Sequence, residues 1–499
     1  MKWEARILSF CVGAISLGVE ILWVKLAGFA HHSLPQSFAL VLALYLVGIA
    51  LGAHLGKRYC SSPNIKAIIS FTLTISALLD VTLPILFSEY QSVENSYFLL
   101  TIFIILTAST KSVLFPIAHH LGSDQEGDTQ GRSVSVVYFF NIAGSSLGPL
   151  AVGFILLDLF SLQQCFALIA AFTFLLSAYF AFAEKHIVGI AALPALFLSV
   201  LSFHADERIF HRLIDGEHTA ERVTNLIENR HGVIYTLAGG SLGDVVFGGN
   251  VYDGRVNTDL RINSNGIHRV YITACLVPSA KKILVIGLSS GSWVRILQEI
   301  PEAERIDVVE INPGYIELVK SYPAVASILN DKRTHIHSDD GRRWLNQHPA
   351  DKFDLIVMNT TWHWRAYTSL LLSADFLTIA KAHLNPSGLI AYNSTGSQDV
   401  VKTAASVFPH AYRYGNFVYA SDSDFRQRKA DCPISLSRMT ANGKPVFPKG
   451  DVKADAALQQ LTKLPFVDME IIQKAGDRTY EIITDQNMLT EYKYGWGIN

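Results

Sequence analysis

The sequence predicts a two-part chain: an N-terminal α-helical transmembrane bundle followed by an α/β Rossmann-like domain. Three observations predict it. Apolar runs of spanning length recur from Ile7 to Phe203 and then cease. Charged residues are 17% of the chain, against about 25% in soluble domains. Beyond Lys281, short β-branched strands alternate with a glycine turn and helical segments.

A spanning helix needs about 20 mostly apolar residues. Seven runs are candidates: Ile7–Ala27, Ser37–Gly56, Ile65–Phe87, Tyr97–His119, Ser133–Leu157, Leu162–Ala183 and Ile187–Phe203. The last is short and carries Pro194. The first run is long and no small-residue cleavage site follows it, so no cleaved signal peptide is expected. Glu20, Lys25, Asp80 and Lys111 fall inside these runs. Charges at that depth face a cavity or a partner, so they mark either a polar path or contacts between helices. Gly48, Gly52 and Gly56, and Gly144 and Gly148, recur at the four-residue spacing that lets helices approach closely.

The 499 residues fit two or three domains at about 150 residues each. The expected division is a bundle over 1–204, a linker and β-hairpin region over 205–275, a Rossmann-like domain over 276–435 and an extension over 436–499. A formal charge of −2 gives no sign of a nucleic-acid partner. Cys11, Cys60, Cys165, Cys275 and Cys432 show neither CxxC nor metal-type spacing, so no disulfide framework and no metal site are expected.

In the soluble half, Lys281–Gly287 reads as a buried strand, Leu288–Ser292 as a glycine turn and the residues through Ile300 as a helix. A second strand, Ile306–Val309, ends in Glu310. A glycine turn lets backbone approach a ligand, and an acid at the tip of the next strand accepts hydrogen bonds from ribose hydroxyls. A third strand, Thr334–His337, leads to Asp339-Asp340-Gly341, and a fourth, Phe353–Met358, leads to Asn359. The carboxyl ends of such strands form the ligand crevice, so Gly287, Gly291, Glu310, Asp340 and Asn359 are expected around one nucleoside. Of Asp339 and Asp340, one is expected to cap the following helix and the other to bind ligand. Helix is expected over Leu377–Leu384, Asp399–Val407 and Ala454–Leu464, with a strand over Leu389–Asn393.

These motifs, in this order, resemble the spermidine synthase family of aminopropyltransferases from about Gly232 to Asn416. Asp253-Gly254-Arg255-Val256-Asn257 resembles its D-G-x-x-Q hairpin, Ile267-His268-Arg269 falls where it has Tyr-His-Glu, and Ile283–Gly291 matches its glycine turn. With helices in front, the whole chain looks like the bacterial membrane-fused members. The resemblance implies a methyltransferase-type fold and S-adenosylmethionine or its decarboxylated form as substrate. It also implies attack on the carbon beside sulfur, with release of methylthioadenosine. The ligand contacts implied are Gly287, Gly291, Glu310, Asp339, Asp340, Asn359, Trp362, Asn257 and His268.

Two departures bear on chemistry. Where the family reads D-S-S-D-P, this chain reads Asn359-Thr360-Thr361-Trp362-His363, and the hairpin glutamate is replaced by Arg269. An alkylamine, with a pKa of about 10, needs a base to act as nucleophile at neutral pH. A carboxylate does not, and attack by the substrate's own carboxylate would give α-amino-γ-butyrolactone (homoserine lactone). Asn359, His363 and Arg269 are therefore the candidate catalytic residues, and Trp362 is suited to a sulfonium through cation–π attraction. A polyamine aminopropyltransferase is the alternative expectation. A transporter or sensor with a nucleoside-binding domain is another.

Partners expected are a small-molecule substrate and the lipid bilayer, and a homodimer is compatible with the sequence. Lys2, Arg6, Lys57, Arg58 and Lys66 put the N-terminus in the cytoplasm. Seven spans would then leave the soluble domain outside the inner membrane. Nucleotide-like ligands are cytoplasmic, which outweighs the count, so the domain is expected to face the cytoplasm with one candidate run re-entrant or interfacial.

Overall fold

The computed structural model describes residues 2–92, 95–123, 130–182, 188–205, 208–218, 221–359, 362–441 and 443–495. They form two compact units. The first comprises Met1–His31, Gln36–Glu221 and Glu228–Gly232, and the second comprises His32–Pro35, Arg222–Ile227 and Val233–Asn499.

Six helices of the first unit are long and apolar enough to cross a membrane: Lys2–Ala30, Gln36–Tyr59, Ile65–Tyr90, Ser96–Gly122, Val134–Leu159 and Leu162–Phe182. The seventh expected run departs from this set. It forms the helix Val188–His204 of 17 residues, and Ile187 lies outside the described residues. At about 1.5 Å per residue such a helix reaches about 25 Å, the short end of the lengths that cross a hydrocarbon core of about 30 Å. Large apolar side chains such as Leu46, Phe98, Phe139, Phe154, Leu175 and Phe182 point outward from these helices, as lipid-facing positions do.

The small residues act as their spacing predicts. A Cβ on Gly52 would stand 2.1 Å from the Ser109 carbonyl oxygen, and one on Gly144 would stand 1.9 Å from that of Phe10. Only glycine fits at either crossing. Asp80 and Lys111 are fully buried and paired, with Nζ 2.6 Å from Oδ1. For these two charges the contact between helices, rather than a polar path, is what the geometry holds.

The second unit begins with a four-stranded sheet of β1 (Val223–Asn229), β2 (Gly232–Leu237), β3 (Val245–Gly248) and β4 (Val251–Arg255). The main sheet has eight strands. Five are parallel: β5 (Lys282–Ile286), β6 (Arg305–Glu310), β7 (Thr334–Ser338), β8 (Phe353–Met358) and β9 (Leu384–Asn393). β10 (His410–Tyr414) and β11 (Phe417–Ser421) follow as an antiparallel pair. A separate two-stranded ribbon of β12 (Thr440–Ala441) and β13 (Lys444–Pro445) precedes β14 (Val467–Asp468), which joins the main sheet at its edge. The order across the main sheet is β14-β10-β11-β9-β8-β5-β6-β7.

Strand order reverses at the β5–β8 neighbours, with β6 and β7 added on one side and β8 and β9 on the other, and that switch point is where open α/β sheets place their ligand crevice. Near-continuous apolar strands such as Ile283–Ile286 and Leu355–Met358 are buried on both faces, as helix-covered parallel strands must be. One face packs against Trp293, Val294, Leu297 and Leu318. The other packs against Trp344, Leu345, Phe376 and Leu377.

Two sequence expectations change here. Cys275 and Cys432 form a disulfide across 157 residues of sequence, where none was expected. Spacing tests read only local patterns, whereas these cysteines meet because the helices Thr273–Leu276 and Cys432–Ser437 pack together in the core. The residues beyond 435 are also more than an appendage. β14 extends the sheet, and Ile483 and Leu489 are buried in its core.

Candidate functional site

At the switch point, β5 ends in Gly287 with φ +94°, and a Cβ there would stand 2.8 Å from the Asn359 carbonyl oxygen. A side chain at 287 would push β8 away and strain the backbone, so glycine is needed for both reasons. The Asn359 N–H donates to Ile286 O at 2.8 Å, which fixes the two strand ends side by side. Gly291 (φ +75°) meets Val319 and Ile328 and serves helix packing.

Glu310 closes β6. Its carboxylate accepts the N–H of Leu288 (2.7 Å) on one oxygen and the N–H of Asn312 (2.8 Å) on the other. Burial pushes its carboxyl up to about 7, against the pull of those two donors. Glu310 thus holds the glycine turn in place, and each oxygen keeps a lone pair for a ligand hydroxyl.

After β7, Asp340 caps the helix Gly341–Gln347, accepting the Arg343 N–H at 2.8 Å with one oxygen. Asp339 accepts its neighbour's N–H and pairs with the Arg343 side chain at 2.5 Å. The cap falls to Asp340, one of the two acids expected to share capping and ligand binding.

The hairpin β3–β4 is tied to the turn by serines. Ser289 Oγ donates to Asp253 O (2.7 Å), while Ser290 and Ser292 donate to Arg255 O (2.9 and 3.2 Å). Asp253 accepts the Tyr315 hydroxyl at 2.6 Å, and burial raises its carboxyl above the ordinary value. Asn257 spends its amide on the loop that follows, accepting from Asp259 N (2.9 Å) and donating to Asp259 O (3.3 Å).

A cavity of about 290 Å³ adjoins these strand ends. It is lined by Tyr252, Asp253, Asn265, Gly266, His268, Arg269, Trp293, Asn359, Trp362, Asn393, Thr395 and Asn416. Four of the predicted site residues therefore meet there: Asn359, Trp362, His268 and Arg269. His363 is not among the lining residues. Its Nδ1 is 2.7 Å from Thr395 Oγ1, and burial holds its imidazole down at about 4, so it is neutral at pH 7. His268 is likewise held at about 4 by burial and by the neighbouring Arg269 cation. Trp362 stacks on Trp364, and Thr360 and Thr361 lie outside the described residues.

Several lining residues escaped the sequence reading. Asn393 and Asn416 lie at the end of β9 and just before β11, and Trp293 sits in the first turn of the helix after the glycine turn. The signal available was the serine-rich turn Ser289-Ser290-Gly291-Ser292 and the asparagines beside β8, β9 and β11, Asn359, Asn393 and Asn416.

Residues 270–410 match the family model of the spermine/spermidine synthase domain. Spermidine synthase 2 of Datura stramonium is 31% identical over 122 residues, 24% of this chain and 38% of that protein. The polyamine aminopropyltransferase of Prochlorococcus marinus is 29% identical over 164 residues, 30% of this chain and 58% of that protein. The chain thus spans from 38% to 58% of the length of these two curated relatives. A solved spermidine synthase from Thermotoga maritima aligns over 51% of this chain and 87% of its own, with 16% identity and a TM-score of 0.40. Residues 270–410 are thus similar to the spermine/spermidine synthase domain, and they follow in sequence six helices long and apolar enough to cross a membrane.

Proposed function

We propose that this domain is an enzyme that transfers or cleaves the alkyl chain of an adenosyl sulfonium, S-adenosylmethionine or its decarboxylated form, and releases methylthioadenosine. One observation carries the reading. The carboxyl ends of β5, β6, β7 and β8 offer a glycine turn, Glu310, Asp340 and Asn359 beside a cavity with aromatic walls. The nucleoside lies along the strand ends with ribose hydroxyls on Glu310. The sulfonium faces Trp362 and Tyr252, whose rings attract a cation. The nucleophile attacks the chain carbon bonded to sulfur, the C–S bond breaks, and its electron pair stays on sulfur as a neutral thioether.

The relatives named polyamine aminopropyltransferases support an amine as the nucleophile. Such an amine must lose a proton, and Asp253 is the carboxylate among the described lining residues that faces the cavity. A second reading has the donor's own carboxylate attack, giving homoserine lactone. It is favoured by Asn359, which has no base to offer where the family places an aspartate. No proton moves in that step.

Incubation of the detergent-solubilised chain with S-adenosylmethionine alone, and with decarboxylated donor plus putrescine, separates the two, with methylthioadenosine followed by mass spectrometry. Release in either arm supports the enzyme reading, and the arm that responds names the nucleophile. Intact donor in both arms after prolonged incubation contradicts it and favours a binding or transport role.

We further propose that the domain lies on the oxidising face of the membrane, in place of the cytoplasmic expectation. Disulfides persist in oxidising compartments, and Cys275–Cys432 is buried in the core. A crossing by Val188–His204, at the short end of spanning lengths of about 17 residues, takes the chain there from a cytoplasmic N-terminus. A donor delivered across the bilayer is then required. Alkylation of cells with a maleimide polymer is expected to shift Cys275 and Cys432 only after reduction and denaturation. A shift without reductant returns the domain to the cytoplasm.

A further inference from the structure

Arg269 is a cation in an unusual setting. It is 6% exposed and stands where the family places a glutamate. Its guanidinium lies 4.8 Å from the Phe417 ring centre and 5.6 Å from that of Trp293. Its protein acceptors are all neutral: Gly266 O at 2.8 Å from Nε, Asn416 Oδ1 at 2.8 Å from Nη1, and Asn265 O. Among the described residues no carboxylate pairs with it. A guanidinium has five N–H donors, so these three bonds leave two. Buried charges are ordinarily paired, because burying a lone ion costs several kcal/mol.

The rest of the cavity sharpens the contrast. Asn265, Asn359, Asn393 and Asn416 line it, and its one carboxylate among the described residues, Asp253, is engaged by Tyr315. A polyamine dication would meet a fixed positive charge and a single occupied acid. A ligand carrying a carboxylate would meet a preplaced fork, held flat by two aromatic rings and aimed by three neutral acceptors. That is the geometry guanidinium groups use for carboxylates.

We propose that Arg269 is the specificity-determining residue of this cavity and that it recognises an α-amino carboxylate, so the substrate chain keeps the carboxylate that a decarboxylated donor lacks. This rests on the adenosyl sulfonium reading above. The carboxylate belongs either to the donor, S-adenosylmethionine, or to an amino-acid acceptor seated beside it. The two sources share one recognition chemistry.

The test is equilibrium binding to the full chain in detergent, wild type against Arg269→Gln and Arg269→Lys. The probes are S-adenosylmethionine, its decarboxylated form, methylthioadenosine, and methionine added to the methylthioadenosine-saturated protein. Wild type is expected to prefer S-adenosylmethionine over the decarboxylated form by about tenfold or more, as loss of a charge-assisted bidentate contact implies. Arg269→Gln is expected to erase that preference, and Arg269→Lys to keep part of it, with methylthioadenosine affinity unchanged within about twofold in both. A merely structural role would lower methylthioadenosine affinity as well, which would overturn the proposal. If Arg269→Gln instead weakens only methionine, the carboxylate is the acceptor's and the recognition stands. If neither carboxylate probe responds to the substitution while methylthioadenosine still binds, the proposal fails and the enzyme reading survives. If wild type binds none of the four probes, the enzyme reading itself fails.

Discussion

Glu310→Gln is expected to lower affinity for adenosyl sulfonium compounds by at least about tenfold and to flatten the stability of the soluble domain between pH 5 and 7. Glu310 is 4% exposed, and both its oxygens accept backbone N–H groups from the two loops that border the proposed nucleoside site. Glutamine has one acceptor oxygen, so its NH2 must face one of those donors. An unsatisfied buried donor costs about 1–3 kcal/mol, and the turn that carries Gly287 loosens with it.

The pH effect has a definite sign. Burial raises the folded carboxyl to about 7 from an ordinary value of 4.5. Between those values the folded chain holds a proton that the unfolded chain has released. Stability therefore falls as pH climbs through this window and levels off above about 7. At about 1.4 kcal/mol per unit, the full loss from this group is about 3–4 kcal/mol. Glutamine cannot ionise, so its share of the slope disappears. Glu299, also raised to about 7 by burial, keeps a residual slope of the same sign. Chemical denaturation at several pH values reads both. A variant with an unchanged slope would show that the Glu310 carboxyl is not raised.

The second large effect is expected at the far end of the chain. Glu491 is 1% exposed and accepts the N–H of Tyr367 (3.0 Å), the N–H of Ser369 (2.9 Å) and the Ser369 hydroxyl. These bonds strap the segment that carries Trp362 to the core. Tyr367 sits at φ +68°, a left-handed conformation that costs a non-glycine residue about 1–3 kcal/mol and persists only when its surroundings hold it. Glu491→Ala leaves two backbone donors unsatisfied, for a loss of about 2–5 kcal/mol. Faster amide hydrogen exchange is expected over residues 362–372, with weaker ligand binding, while exchange in β5 and β6 stays slow. Unchanged exchange in that segment would show that the tail does not hold it. Asp485 is a second anchor, gripping Arg342 at 2.5 Å and Ser373 at 2.7 Å.

Much of this was legible in the residues, for physical reasons that also mark the limits. Strand–turn–strand order with Gly287 and Glu310 is local, so β5, β6 and β8 fall close to where the sequence placed them. β8 spans Phe353–Met358, as read. β9 starts at Leu384 rather than Leu389 because Asn385-Pro386-Ser387-Gly388 bulge out of the register with β8 while the strand continues through them. What the sequence could not reveal is long-range. The Cys275–Cys432 bridge joins helices 157 residues apart. The Glu491 strap and the asparagine wall of the cavity depend on packing between distant segments. Arg269 could be singled out from the sequence by a departure from the family pattern, but that no carboxylate among the described residues pairs with it is visible only in three dimensions.

A structure of the full chain with S-adenosylmethionine at saturating concentration tests the central claim most directly. The ribose is expected within hydrogen-bonding distance of Glu310, the purine base beside Asp340 and the sulfonium chain in the cavity beside Trp362 and Arg269. Adenosyl density elsewhere, or an empty crevice at saturation, would contradict it.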